Sequence, residues 1–137
     1  MMLRADSAPT WHLTYCVQHS IVHNMVMGGT QPTPRDNLSL EFRRGALVLA
    51  VLVQLRREEY GYSLKKSLSD RGLEIDEGTL YPLLRRLESQ GLLTSAWRVE
   101  DGRPRRYYQA NAQGEKVAKE LAAEWRSLAG VIGKLIG

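Results

Sequence analysis

Asp76-Glu77-Gly78-Thr79-Leu80-Tyr81-Pro82-Leu83-Leu84-Arg85-Arg86-Leu87-Glu88-Ser89-Gln90-Gly91 decides the fold. Leu80, Leu83, Leu84 and Leu87 recur at i, i+3, i+4 and i+7, the spacing that lines one face of an α-helix. The helix starts near Asp76 or Glu77 and stops at Gly91. Pro82 falls in its first turn or two, where a missing N–H is tolerated. With the leucines turned to a core, Thr79, Pro82, Arg85, Arg86 and Ser89 are left on or near the outer face. Tyr81 either packs by its ring or reaches outward with its hydroxyl.

Working upstream, Tyr60-Gly61-Tyr62 opens a shorter helix through Leu64, Leu68 and Arg71 that Gly72 stops, and Arg56-Arg57-Glu58-Glu59 is a polar break. Two short amphipathic helices with a brief connection suit a helix-turn-helix. Before them, Leu40 to Leu55 is apolar nearly all round, too long for one ordinary strand and preceded by the N-cap candidates Asn37 and Ser39. A helix apolar on every face must be covered on every face. Leu40, Leu47 and Val51 are therefore expected against another subunit.

Downstream, Leu92 to Val99 reads as a strand, Glu100-Asp101-Gly102-Arg103-Pro104 as a turn with Asp-Gly its strongest signal, and Arg105 to Ala110 as the returning strand. Asn111 then caps a last helix whose apolar line is Val117, Leu121, Trp125, Leu128, Ile132 and Leu135. Those steps of three and four form a seam on an otherwise polar helix, and dimerisation is the economical way to cover it. The expected fold is mainly α (α+β): a winged helix-turn-helix with a two-stranded wing and a C-terminal dimerisation helix. The expected divisions are an irregular extension over 1–36, the winged helix-turn-helix domain over 37–111 and the dimerisation helix over 112–137.

At 137 residues, 43% of them hydrophobic and 25% charged, the chain is expected to fold as one domain with a tail. Its longest strongly apolar stretch, Gly45 to Leu55, is short of a membrane span, and nothing at the N-terminus resembles a secretion signal, so a cytoplasmic protein without membrane attachment is expected. The single cysteine, Cys16, excludes an internal disulfide. His12, His19, His23 and Cys16 all fall in the first 26 residues, with no ligands downstream to complete a metal site, so neither metal nor cofactor is expected. Met25 or Met27 is a candidate true first residue. The net charge of +4 is concentrated over residues 78–111, where six arginines face three carboxylates. Arginine's planar fork suits phosphate and guanine edges.

From Phe42 to the C-terminus the chain resembles the PadR family of bacterial winged-helix transcriptional regulators. The resemblance is carried in order by Tyr60-Gly61-Tyr62-Ser63-Leu64, by Glu77 to Glu88, by Gly91-Leu92-Leu93 with Trp97, and by Gly102-Arg103-Pro104-Arg105-Arg106-Tyr107-Tyr108. Ala110-Asn111 stands where the family usually has Leu-Thr, and asparagine caps as well. A single helix at the C-terminus resembles the family's short branch.

The resemblance implies an effector-responsive repressor, a homodimer acting on a pseudo-palindromic operator in double-stranded DNA. Thr79, Tyr81, Pro82, Arg85 and Arg86 are the expected contacts of the recognition helix, and Arg103, Arg105 and Tyr107 those of the wing. Strand alternation puts Arg105 with Tyr107 on one face and Arg106 with Tyr108 on the other, and the first pair is expected to face solvent. Trp125 falls where one branch of the family stacks small aromatic effectors between subunits; plain seam packing is its other reading. An enzyme has almost no candidate groups here, with no phosphate loop, paired carboxylates or nucleophile elbow. A winged helix used for protein–protein contact without DNA shares every fold feature, and only the arginines of the wing and third helix argue against it.

Overall fold

The computed structural model describes residues 31–137. The readings of residues 1–30, including the histidines, Cys16 and the alternative start, lie outside the described residues. The chain divides between Ser39 and Leu40. The described residues form four helices and three strands in the order α1 (Pro34–Gln54), β1 (Glu59–Tyr60), α2 (Gly61–Ser69), α3 (Glu77–Ser89), β2 (Leu93–Glu100), β3 (Arg103–Ala110) and α4 (Ala112–Ile136).

Helix α1 starts earlier than Asn37 or Ser39. Asp36 N–H donates to Thr33 Oγ1 at 3.3 Å, while Thr33 N–H and its hydroxyl donate to Asp36 Oδ2 at 2.9 and 2.7 Å. These bonds hold the Asp36 carboxyl below its ordinary pKa. Residues 1–36 read as an irregular extension in the sequence, yet Pro34 sits at the first helical position, where its fixed φ favours a helix start.

Leu52, Leu55, Leu64, Leu80, Leu84, Leu87 and Val51 are the largest wholly buried side chains, so the core lies where α1, α2 and α3 meet. Leu47 belongs to the same core. This corrects the expectation that Leu47 and Val51 meet another subunit: both are buried within the chain's own core cluster. Leu40 and Phe42 remain exposed.

The wing is part of a three-stranded antiparallel sheet in the order β1-β3-β2. Glu59 and Tyr60, read as a polar break and a helix start, pair with Tyr108 and Tyr107 instead. Two residues are too few to show a strand's period, and only the free edge of β3 makes them one. Strands β2 and β3 run right up to a two-residue turn, with Glu100 paired to Arg103. Both central residues, Asp101 and Gly102, have positive φ (51° and 73°), the mirror-image turn whose twist suits a hairpin. Pro104 pairs with Val99, a rung next to the closing pair, so its missing N–H faces the edge that β1 does not reach.

Asn111 joins the wing to the last helix. Its side chain accepts from Gly114 N–H at 2.9 Å and donates to the Gly91 carbonyl at 2.8 Å, while its N–H donates to the Leu92 carbonyl at 3.1 Å. Gly114 and Ala118 are buried, and Val117 and Leu121 pack against the core. Beyond residue 122 every side chain of α4 is exposed, Trp125, Leu128, Ile132 and Leu135 among them. Among the described residues no helix is long and apolar enough to cross a membrane.

Candidate nucleic-acid interface

Helix α3 has one leucine face buried and the opposite face open. Asp76 caps it by accepting from Thr79 N–H at 2.9 Å, and the Thr79 hydroxyl donates to the same carboxylate at 2.9 Å. Thr79 therefore completes the cap while staying exposed. Pro82 lies in the second turn, which deprives the Gly78 carbonyl of its usual donor. Tyr81 lies over Gly61 at the start of α2, so closely that a Cβ there would fall 2.5 Å from the phenol oxygen. The hydroxyl end of the ring is thus the packed end, which is the packing reading, although the residue as a whole stays 38% exposed. Arg85 and Arg86 are exposed one turn further on.

The six arginines of residues 78–111 fall into two groups. Arg98 donates to both Glu58 oxygens at 2.6 and 2.8 Å, Arg105 to Glu100 at 3.1 Å, and Arg106 to Glu88 at 2.8 Å. Among the described residues Arg85, Arg86 and Arg103 form no salt bridge. Glu88, the natural surface partner for Arg85 or Arg86, is occupied by Arg106. The uncommitted cations are thus two on the open face of α3 and one beside the turn of the wing.

Directly paired residues share a face, so Tyr60, Arg98, Arg105 and Tyr107 line the outer side of the sheet. Arg105 lies over the Tyr60 ring at 4.6 Å and Arg98 over the Tyr107 ring at 4.7 Å, and the Tyr60 and Tyr107 centroids are 5.4 Å apart. Partial burial works against the charge of Arg105, but Tyr60, Tyr107 and Glu100 outweigh it and hold its pKa above the ordinary value. Hydrogen bonding to Glu100, then burial, pushes the Tyr107 phenol above its ordinary value, which keeps it a neutral donor. Arg105 and Tyr107 do sit opposite the buried Tyr108, but half-covered rather than open. The structure brings Thr79, Pro82, Arg85 and Arg86 onto one exposed helix face and sets Arg103 at the hairpin tip.

Sequence inspection missed the commitment of Arg98 and Arg106 to carboxylates, and the exposure of Trp97 and Val99 on the wing. The turn encodes the cross-strand pairs but not these carboxylates. With Asp101 and Gly102 as its only two central residues, counting back pairs Trp97 with Arg106 and Ser95 with Tyr108.

The model of the transcriptional regulator PadR-like family matches residues 48–120, more than half of the chain. Over 81 residues, 58% of this chain and 76% of the relative, the sequence is 44% identical to transcriptional regulator Rv3488 of Mycobacterium tuberculosis. The fold is similar to a PadR family transcriptional regulator from Eggerthella lenta, with TM-score 0.68 and 51% identity over 73% of this chain and 89% of that one. It is also similar to a PadR-like transcriptional regulator from Bacillus cereus, with TM-score 0.63 and 26% identity over 70% and 96% of the two chains. A helix-turn-helix with a hairpin wing, its free arginines on the third helix and the wing tip, thus coincides with kinship over the same residues: the chain belongs to the PadR-like family of winged-helix DNA-binding transcriptional regulators and is not an enzyme.

Proposed function

We propose that the protein is a homodimeric repressor that reads a pseudo-palindromic duplex, with α3 in the major groove and the wing on neighbouring phosphates. The observation that carries this reading is the uncommitted state of Arg85, Arg86 and Arg103 on exposed positions, while the other arginines of the region are tied to carboxylates. An unpaired guanidinium reaches a guanine edge or a phosphate without first losing a partner. Thr79, Tyr81 and Pro82 line the approach on the same helix. Dimerisation is supported by the exposed row Trp125, Leu128, Ile132 and Leu135, which has no cover among the described residues.

Binding-site selection with the purified protein, followed by gel shifts on the gene's own upstream DNA, tests the proposal. Half-sites separated by about one helical turn are expected. Alanine at Arg85 or Arg86 is expected to relax the preference at one base position per half-site by roughly 1–3 kcal/mol. Failure to shift any duplex at low salt would favour the protein–protein module instead. Transcription that falls when the gene is deleted would reverse the sign of the regulation.

Arg103 and Arg105 separate in a second measurement. Arg103→Ala is expected to flatten the slope of log K against log salt by roughly 1 per subunit, as a lost phosphate contact does. Arg105→Ala is expected to change it less, because Glu100 already offsets that charge. Equal slopes in the wild type and Arg103→Ala would remove the wing tip from the interface. A small aromatic effector stacking on Trp125 is the finer part of the proposal, supported by an indole that is 46% exposed in the chain. Quenching of Trp125 by planar aromatic compounds, with Trp11 and Trp97 replaced by phenylalanine, is the expected sign.

A further inference from the structure

Beyond the core, the wing is a thin object. Leu93, Tyr108 and Ala110 are the last residues of β2 and β3 buried in the core, and from Ala96 to Val99 and at Arg103 and Pro104 every residue is exposed. From Ser95 to Glu100 the ribbon extends roughly 17 Å at a strand's usual rise. A tilt of about 10° at Ser95 would move the tip by about 3 Å on that arm, enough to lose a hydrogen bond to a phosphate. Something at the base must fix the angle between the ribbon and α3 if both are to meet one duplex.

We infer that Glu88, Ser95 and Arg106 form a latch that sets this angle, and that Glu88 and Arg106 are positioning residues for DNA binding rather than contacts with it. The three side chains come from α3, β2 and β3. Arg106 Nη2 donates to Glu88 Oε2 at 2.8 Å and its Nε donates to Ser95 Oγ at 3.0 Å. The Ser95 hydroxyl in turn donates to Glu88 Oε1, closing a ring of three hydrogen bonds. The guanidinium also lies 5.4 Å from the Tyr108 ring centroid and 5.9 Å from that of Trp97, its cross-strand partner. Both charged side chains are about one-third exposed, so solvent weakens the pair and its contribution to overall stability is small. Its geometry matters more than its energy: a planar fork held at two nitrogens and flanked by two rings has one orientation. The latch reaches two rungs beyond the buried base, to Trp97–Arg106, and so stiffens the ribbon where the core no longer does.

The inference rests on the wing reading given above, and one set of variants separates the two. Glu88 and the tip residue Arg103 share no partner, so independent roles predict additive losses in affinity. A positioning role predicts that they are coupled. Arg103→Ala is expected to weaken duplex binding about fivefold in the wild type and less than about twofold in Glu88→Ala, where the tip is no longer held in place. The charge-exchanged pair Glu88→Arg with Arg106→Glu is expected to restore part of the Arg103 effect that each single substitution removes. An undiminished fivefold loss in Glu88→Ala would overturn the latch and leave the wing assignment standing. No loss from Arg103→Ala in the wild type would overturn the wing reading and the latch with it. Circular dichroism confirms the fold of each variant, and Ser95→Ala, which removes one corner of the ring, gives the same coupling to a smaller degree should Glu88→Ala fail to fold.

Discussion

Replacing Leu128 and Ile132 together by aspartate is expected to turn the protein into a monomer by sedimentation and to lower its affinity for operator DNA by at least about 100-fold. Both side chains are about half exposed and lie on the part of α4 whose side chains are all exposed among the described residues. Covering a side chain of this size contributes roughly 1.5–3 kcal/mol, and each substitution acts in both subunits of a dimer. Burying four carboxylates in an apolar seam costs more than the seam returns. The DNA effect follows because two linked half-site contacts become two independent ones. Folding of the domain is expected to survive, since α4 is anchored by Gly114, Val117, Ala118 and Leu121, well before residue 128. An unchanged sedimentation coefficient would show that this row does not hold subunits together.

Gly114→Ala is expected to destabilise the domain by at least about 3 kcal/mol, lowering the melting temperature by roughly 10 °C or more. A Cβ at Gly114 would stand 2.1 Å from the Leu92 carbonyl oxygen and 3.3 Å from Ala110 Cβ. The obstacle is backbone, and it is fixed: the Leu92 carbonyl accepts the Asn111 N–H, and Asn111 itself caps α4 through Gly114. Relief requires lifting the first turn of α4 away from the Gly91–Leu92 turn, which also tilts the seam relative to α3. Gly45→Ala is the matched control, a mid-helix position where an added Cβ meets nothing within 4 Å. There the same substitution is expected to stabilise by roughly 0.5–1 kcal/mol. Equal melting temperatures for Gly114→Ala and the wild type would show that the two turns are not in rigid contact.

Much of the architecture was visible in residue spacing because single periods dominate single elements. The leucines of α3 could face only one way, and Asn111 before Ala112-Gln113-Gly114 could only cap. Errors arose where local chemistry admits two outcomes. Pro34 breaks a helix from within and starts one from its first position, and the partner that selects the second outcome, Thr33 with Asp36, is a geometric fact. Val51 on an all-round apolar helix needs cover, but spacing does not say whether that cover is the same chain or another. Glu59 and Tyr60 carry no strand signal and became one because β3 offered an edge.

The arginines mark the boundary most sharply. By itself the sequence determined that residues 78–111 carry an excess of guanidinium groups on a leucine-lined helix and a hairpin, because charge and periodicity are local properties. Which of those groups are free was decided only when folding brought Glu58, Glu88 and Glu100 within reach of Arg98, Arg106 and Arg105. Ion pairing depends on distances between residues as many as forty positions apart, and no local pattern encodes them.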